Sequence, residues 1–564
     1  MLFALLLLSV LAYALLNHKY FLIGRFMQDT MLWADAVYRL SLGQQIHSDF
    51  HTPIGALMFL VPAGFYELTG SMGLALKASL FAFGCLTLAT GLCLTLGRLP
   101  MAMALLLAAF CTLAVSSPMM FGGGHRDLTM ALHYNRIGWV FLLLTATALL
   151  PRRRSTRGLE LLDGWILALL GIVLFFAKIS FFLTFLGLIV LGLLAFGAKR
   201  VFWVALALLA LGLIGVALLF SDLFLGYIAD VMAVISVSGG RIKPMSEFLS
   251  IKGEIFLFLA GCVFLLHALR LYRLLPDPKL MLRTSLVLGA VLLASLMNFN
   301  QNFQYQYLLT LAFPWLWAAN VIYVNGDQSP RFRQPRAALS LVSAVFILAI
   351  LSVPMVDWAR GLRVLAKPPP RGEEMLYYPG ALDGLVQNRQ SSALHESFAA
   401  GDDFPLSIEA FQDQILPRLS MIYWRNSVLA QSYLSGLALL KPVRHAAPKL
   451  RIESIDFMNP FPMLTRTIPP KGVMIARSLR EIDFANPPDP SKILSDAQIV
   501  MVPRYPQDRQ VSHDLLCAYE TYLSEKFVAQ AMNGYWYLLI RRETLPNSLA
   551  SPVAEAVSWA ARCR

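Results

Sequence analysis

The sequence predicts a mainly α-helical, polytopic membrane protein with a soluble α/β domain at its C-terminal end. Three observations predict it. Of 564 residues, 57% are hydrophobic and only 14% charged, and the mean hydropathy is +0.60. Apolar runs recur at lengths close to or beyond the roughly 18 residues that a helix needs to cross a hydrocarbon layer. After residue 357 the composition shifts to a Pro-rich KPPPRG and then to mixed charged and apolar sequence without another such run.

Taken in order, the run from Met1 to Leu16 is followed by His18, Lys19 and Tyr20 rather than by a small-residue cleavage site, and reads as an uncleaved anchor. The expected spans are 2–23, 75–96, 101–115, 137–150, 162–177, 181–196, 201–220, 255–275, 284–296, 307–323 and 338–356, about eleven in all. The segment 54–68 is apolar too. Counting it as a full span would put PRRRST, 151–156, on the outer side. As a re-entrant or surface-lying helix it instead lets Arg98, the 152–157 cluster, Lys199, Arg200, the 270–283 loop and 331–336 all fall in the cytoplasm. The loops 28–55, 119–136, 221–252 and 297–306, and the whole tail, then lie outside. The net charge of +13 is therefore read as topology, and nucleic acid is excluded as a partner. The division expected is a transmembrane domain over 1–356 carrying outer-face catalytic loops, and a soluble extracytoplasmic domain over 357–564. In that tail GVMIA, AQIVMVP, the amphipathic DLLCAYETYLSEKF and YWYLLIRR suggest a small α/β unit. Cys85, Cys93, Cys111 and Cys262 lie in apolar runs as small hydrophobes. Cys517 and Cys563 would pair only in an oxidising compartment, and are expected to be unpaired.

The most informative stretch is QDTMLWADAVYRLSLGQQIHSDFHTPIG, 28–55, a polar loop between apolar segments. It sets Asp29 where a carboxylate is costly unless it serves a function. It then carries His47, Asp49 and His51. In order of features it resembles the first outer loop of the GT-C superfamily of polytopic glycosyltransferases, especially the protein O-mannosyltransferase and aminoarabinose-transferase branch. Both have an acid just after the first span, a short helix, a Gly, an aromatic-acidic turn and a Pro before an apolar dipping helix. The apolar pair 75–96 and 101–115 is similar to the family's next block. NFQYQYLLTLAFPW, 302–315, resembles its late outer-edge motif through Tyr307 and Pro314. The chain departs where the family often has a second acid: HYNRIGW offers Asn135, and the nearest acid is Asp127 in GGGHRDL.

The resemblance covers about the first 355 residues. It implies inverting transfer of a sugar from a polyprenyl-phosphate donor to a cell-envelope glycan or lipid, in a bacterial inner membrane with the tail periplasmic. Asp29 occupies the position of the catalytic acid. Chemically, such a transfer needs a base for the acceptor hydroxyl and cations near the departing phosphate. Asp29 is the expected base, with Asp49 and Asp127 next. Asp35 lies six positions on, on a different helix face. Arg126, Arg136, Lys178, Arg241 and Lys243 are the expected phosphate contacts, and His51, Asn135 and Tyr307 complete the substrate-binding set. A monophosphate leaving group demands no bridging metal, and neither a metal nor another cofactor is expected.

Blander readings stand beside these. Asp29 would equally suit the N-cap of a helix over 30–42, and Lys178 would snorkel where two short spans meet. His47, Asp49 and His51 share one face if extended, but three ligands in one loop indicate a metal only weakly. His125 and Arg126 suit a solvated loop, Arg136 an interface anchor, and Asn298 to Tyr307 an aromatic belt. The rival functions are a transporter or flippase of lipid-linked glycans, and a non-catalytic envelope scaffold. Transporters bury ionisable groups near the bilayer midplane, whereas the notable acids here sit in outer loops.

Overall fold

The computed structural model describes residues 1–24, 26–119, 128–196, 200–238, 252–271, 281–282, 284–289, 291, 312–325, 333–369, 375–388, 421–446, 450–478, 487–504, 506–507 and 509–544. Its first part is helical. The uniformly apolar LFALLLLSVLAYALL forms α1 (Leu2–Leu16). The helix ends at the polar Asn17-His18-Lys19, so the expected run to residue 23 is cut short: Phe21–Ile23 is instead a strand, β1. Then come α2 (Met27–Ser41), the two-residue strand β2 (Phe50–His51), α3 (Leu57–Thr69), α4 (Met72–Thr95), α5 (Met101–Ser116), α6 (His133–Ala148) and α7 (Arg157–Ala177). They are followed by α8 (Ile179–Phe196), α9 (Arg200–Leu219), α10 (Ser221–Ser238), α11 (Lys252–Leu271), α12 (Phe313–Asn325) and α13 (Arg333–Leu365).

Among the described residues four segments are long and apolar enough to cross a membrane: α4, α7, α9 and Ala338–Leu365 within α13. The segment expected to dip is α3. Its 13 residues make about 20 Å of helix at 1.5 Å per residue, short of the roughly 30 Å hydrocarbon layer. Gly70, at φ 63 and with its N–H on Tyr66 O (2.8 Å), stops it. Of the expected span 284–296, residues 290 and 292–296 lie outside the described residues. Helix α4 sits centrally, against α1, α3, α5 and α6, and α7 packs along α9.

Buried cations hold the C-terminal ends of these helices. The last carbonyls of a helix have no partner within it and carry a partial negative charge. Arg98 donates to Leu94 O (2.9 Å) at the end of α4, and to Ala148 O (3.3 Å) and Leu150 O (2.9 Å) at the end of α6. Arg152 reaches Cys93 O (2.7 Å) and Leu96 O (2.9 Å), again at the end of α4. Both guanidiniums meet the buried Asp163 of α7, at 2.6 and 2.5 Å. Lys77, fully buried in the second turn of α4, donates to His18 O (2.8 Å) beyond α1 and to Leu365 O (3.4 Å) at the end of α13.

The tail contains further strands and helices: β3 (Met375–Tyr377), β4 (Leu385–Asn388), α14 (Met421–Ala446), β5 (Ile452–Ser454), β6 (Val473–Met474), β7 (Ile499–Pro503), α15 (Arg509–Lys526), β8 (Phe527–Met532) and β9 (Trp536–Arg541). A four-stranded sheet runs β5-β7-β9-β8, parallel between β5 and β7 and antiparallel beyond. Val511, Leu515, Leu516, Tyr519 and Leu523 of α15 bury against its Val500, Val502 and Leu539. Two small sheets join this region to the first part of the chain. β1 pairs in parallel with β4, and β2 in parallel with β6. Cys517 is disulfide-bonded, which corrects the expectation that it is unpaired; Cys563 lies outside the described residues.

Removing Asp163 would leave Arg98 and Arg152 as uncompensated buried charges. Asp163→Ala should cost about 3–5 kcal/mol, seen as a large drop in the melting temperature of the detergent-purified protein. Arg154→Ala, at an exposed position of the same loop, should leave it unchanged. Equal melting of the two variants would show that the Asp163 cluster does not stabilise the fold.

Candidate functional site

Helix α2 begins at Met27, after Phe26 in a left-handed conformation (φ 45), and no side chain caps it. Asp29 therefore lies inside the first turn, where its N–H bonds Phe26 O (3.1 Å). The N-cap role that its residue type suits is not how it is used. Its carboxyl is largely buried yet reaches the surface, and has no ion-pair partner among the described residues. Burial away from water pushes its pKa up to about 7.

The helix around Asp29 is fixed from several sides. Thr30 Oγ1 accepts Met130 N–H (3.1 Å), fastening α2 to the segment before α6. One turn on, Trp33 meets His133 edge-on (6.4 Å) and tilts against Phe59 (5.4 Å). Asp35 and Arg39, four apart, pair at 2.9 Å in full burial. Arg39 also donates to Pro470 O (2.7 Å), Gln44 to Pro469 O (2.7 Å), and Tyr38 to Thr467 O (3.1 Å), so the tail covers one side of this helix.

The other expected site residues separate into groups. Lys178, at the break between α7 and α8, donates to Asn135 Oδ1 (3.3 Å) and lies 5.3 Å from the Tyr134 ring, so two of them meet at the start of α6. Asn135 Nδ2 is buried without a partner among the described residues. Arg136 is turned to another task. It donates to Ala114 O (3.4 Å) and Ser117 O at the end of α5, under the Trp358 ring (5.8 Å). Asp49 accepts Gln45 N–H (3.0 Å) and pairs with Lys471 of the tail (3.0 Å). Asp127, Arg126, Arg241, Lys243 and Tyr307, with His125, lie outside the described residues.

The residue that sequence reasoning missed is Asp230 of α10. Its Oδ1 accepts from His51 Nδ1 (2.8 Å), and its Oδ2 accepts from His47 Nδ1 (2.8 Å) and Thr52 N–H (3.0 Å). Burial works to raise its pKa, but these three donors outweigh it and hold the carboxyl below the usual range. The hydrogen bond to Asp230 in turn raises His51. Two backbone features permit the approach. His47 adopts φ 67, and Gly226 leaves room where a Cβ would stand 2.4 Å from His47 O. The signal was present in the sequence as a lone acid in the apolar stretch LFLGYIADVMAVI, which requires a partner. Among the described residues no group of His, Cys, Asp and Glu is arranged to hold a metal ion.

No family model and no curated protein sequence matches this chain. Among solved structures, the chain is similar to ArnT from Cupriavidus metallidurans bound to undecaprenyl phosphate, at 14% identity and a TM-score of 0.44, over 98% of this chain and 99% of that one. The same ArnT in the apo state gives 13% and 0.37 over 98% of each. An Archaeoglobus fulgidus oligosaccharyltransferase in complex with zinc and sulfate gives 11% and 0.36, over 95% of this chain and 72% of that one. At these identities and scores the likeness transfers no activity to this chain.

The raised pKa of Asp29 has a consequence for stability. Folding favours its protonated form, so this contribution is present below the ordinary carboxylate range and is lost as pH rises through about 7. The melting temperature of Asp29→Asn relative to the unaltered protein should rise by roughly 2–4 °C between pH 4 and pH 8.5, with the change complete just above pH 7. A difference that does not change with pH would show that the carboxyl ionises freely in the fold.

Proposed function

We propose that this protein is a membrane glycosyltransferase that moves a sugar from a polyprenyl-phosphate donor to a cell-envelope glycan or lipid on the outer face of the inner membrane. The observation that carries the reading is Asp29: a carboxyl at the rim of the helical part, unpaired among the described residues and raised to about 7. A group poised near neutrality is suited to general-base catalysis, and the sequence of its loop resembles that of GT-C transferases at this position. In the proposed step the acceptor hydroxyl gives its proton to Asp29 while its oxygen bonds to the anomeric carbon. The bond from that carbon to the phosphate oxygen breaks, and polyprenyl phosphate leaves with inversion.

Lys178 is the described cation proposed to face the phosphate, with Arg126, Arg241 and Lys243 proposed from the sequence. Arg136 is left out because its donors serve the end of α5. About eleven spans, with 1–356 in the membrane and 357–564 outside, complete the proposal. A disulfide at Cys517 supports an oxidising compartment for the tail.

Asp29→Asn keeps the size of the side chain and removes the base. With a polyprenyl-phosphate sugar as donor, the transfer rate should fall about a hundredfold or more, while polyprenyl phosphate binds as before. The rate of the unaltered protein should rise with pH through about 7. Undiminished transfer in Asp29→Asn at matched protein level would overturn the assignment.

Orientation is tested separately. Reporter fusions after Arg157 should read cytoplasmic, and fusions after Ser397 should read outside. A cytoplasmic tail would set Asp29 on the wrong face and end the proposal.

A further inference from the structure

Three clusters lie apart from Asp29: the cation-capped helix ends, the buried pairs Asp35–Arg39 in α2 and Glu453–Arg477 in the tail, and the two histidines on Asp230. The first two hold elements together through their ion pairs and offer no exposed donor. The third leaves a donor unused. Asp230 occupies Nδ1 of both imidazoles. His47 is fully buried and lies against the Tyr227 ring (5.0 Å). His51 keeps 35% of its side chain exposed, and its Nε2 makes no hydrogen bond among the described residues.

We infer that Asp230 is a positioning residue that holds His51 as a fixed cationic donor, with Nε2–H offered to the phosphate of a phosphate-ester ligand. The inference rests on the reading of this face as a polyprenyl-phosphate site and adds to it a group on α10. The geometry carries it. A carboxylate that takes both Nδ1–H donors fixes the tautomer and the ring plane of each imidazole, and its charge favours the imidazolium at His51. An imidazolium donor to a phosphate oxygen is a charge-assisted hydrogen bond, about twice as strong as a neutral one.

The loop that carries His51 is itself well placed. Gly55 N–H bonds Ala177 O (3.0 Å), and a Cβ on Gly55 would stand 2.1 Å from Phe176 O, so the loop lies directly on the end of α7. Lys178 is the next residue there. On the other side, β2 pairs with β6, and Ile475 N–H bonds His51 O (3.1 Å). The described titratable and charged groups on the surrounding elements are Asp230, Asp222 and Tyr227 on α10, His47 and Asp49 in the loop, Lys471 before β6, and Lys178 between α7 and α8. Asp49 is occupied by Lys471 at 3.0 Å, which leaves Asp230 as the carboxylate that acts on His51.

The test measures binding of undecaprenyl phosphate to the full chain in detergent micelles from pH 5.5 to 9, with inorganic phosphate as a second probe. The unaltered protein should bind the lipid more weakly as pH rises through the titration of His51. His51→Gln should bind about tenfold more weakly at low pH and lose that pH dependence, and His51→Lys should restore binding and hold it to pH 9. Asp230→Asn should shift the pH dependence down by about one unit. Binding of inorganic phosphate with the same dependence would support the contact and assign it to a soluble phosphate ester. If Asp230→Asn lowers the melting temperature and leaves the pH dependence in place, Asp230 is only a latch between α10 and the loop and the inference fails. Binding needs no turnover, so these outcomes are separate from the fate of Asp29 as the base.

Discussion

The structure depends on how a chain with little water around it satisfies the carbonyls at the ends of its helices. Each helix leaves its last carbonyls unpaired, and an unpaired polar group in apolar surroundings costs several kcal/mol. Here the answer is a set of cations drawn inward. Arg98 and Arg152 serve α4 and α6, Lys77 serves the ends of α1 and α13, and Arg136 serves α5. Each is placed where the helix dipole is negative, which offsets part of the cost of its burial. Lys77 depends on this most. Its partners among the described residues are two carbonyls and a histidine ring nitrogen, with no carboxylate among them.

One of these cations also bears on the candidate site. Arg136 ties the first turn of α6 to the end of α5, and the residue before it, Asn135, thereby meets Lys178. Lys178 follows Ala177, whose carbonyl receives Gly55 of the loop bearing His51. From α5 to α10 the site residues are thus joined through packed backbone, and a change at one helix end reaches several of them. The tail closes the arrangement. β1 and β2 each find a parallel partner more than 350 residues later in the chain. Both strands are too short to persist alone, so the loop that bears His47 and His51 reaches its final form only once the tail has been made.

What was legible in the sequence follows the physics of each signal. Long apolar runs announce themselves, and α4, α7 and α9 lie close to where the hydropathy sets them. Asp29 was legible because an acid beside an apolar run is costly and therefore conspicuous. The partners of the cations were not. Arg136 reads equally as a phosphate contact or as a cap, since both uses need the same donors, and only Ala114 O and Ser117 O decide between them. Lys77 gave no signal at all inside GLALKASLFAF, for nothing local shows which distant carbonyls it meets. Strands of two or three residues are too short to show a repeated alternation, so β1 and β2 were invisible. The helix α10 was read as loop, and Asp230 was lost with it.

The acids of the outer loop and α10 divide by environment, and the division is itself an argument about chemistry. Asp35 is held by Arg39, Asp49 by Lys471, and Asp230 by two imidazoles and a backbone N–H. Each already has a partner in the fold. Asp29 differs in having no ion-pair partner among the described residues; burial pushes it up to about 7, as burial also raises Asp35 against its Arg39 partner, while Asp230 is pulled down. Where surroundings drive carboxyls apart in this way, the raised one is fitted to exchange a proton near neutral pH and the lowered one to remain a fixed charge. Under the proposed function, that division would set the base at Asp29 and a fixed anion at Asp230 to orient the histidines.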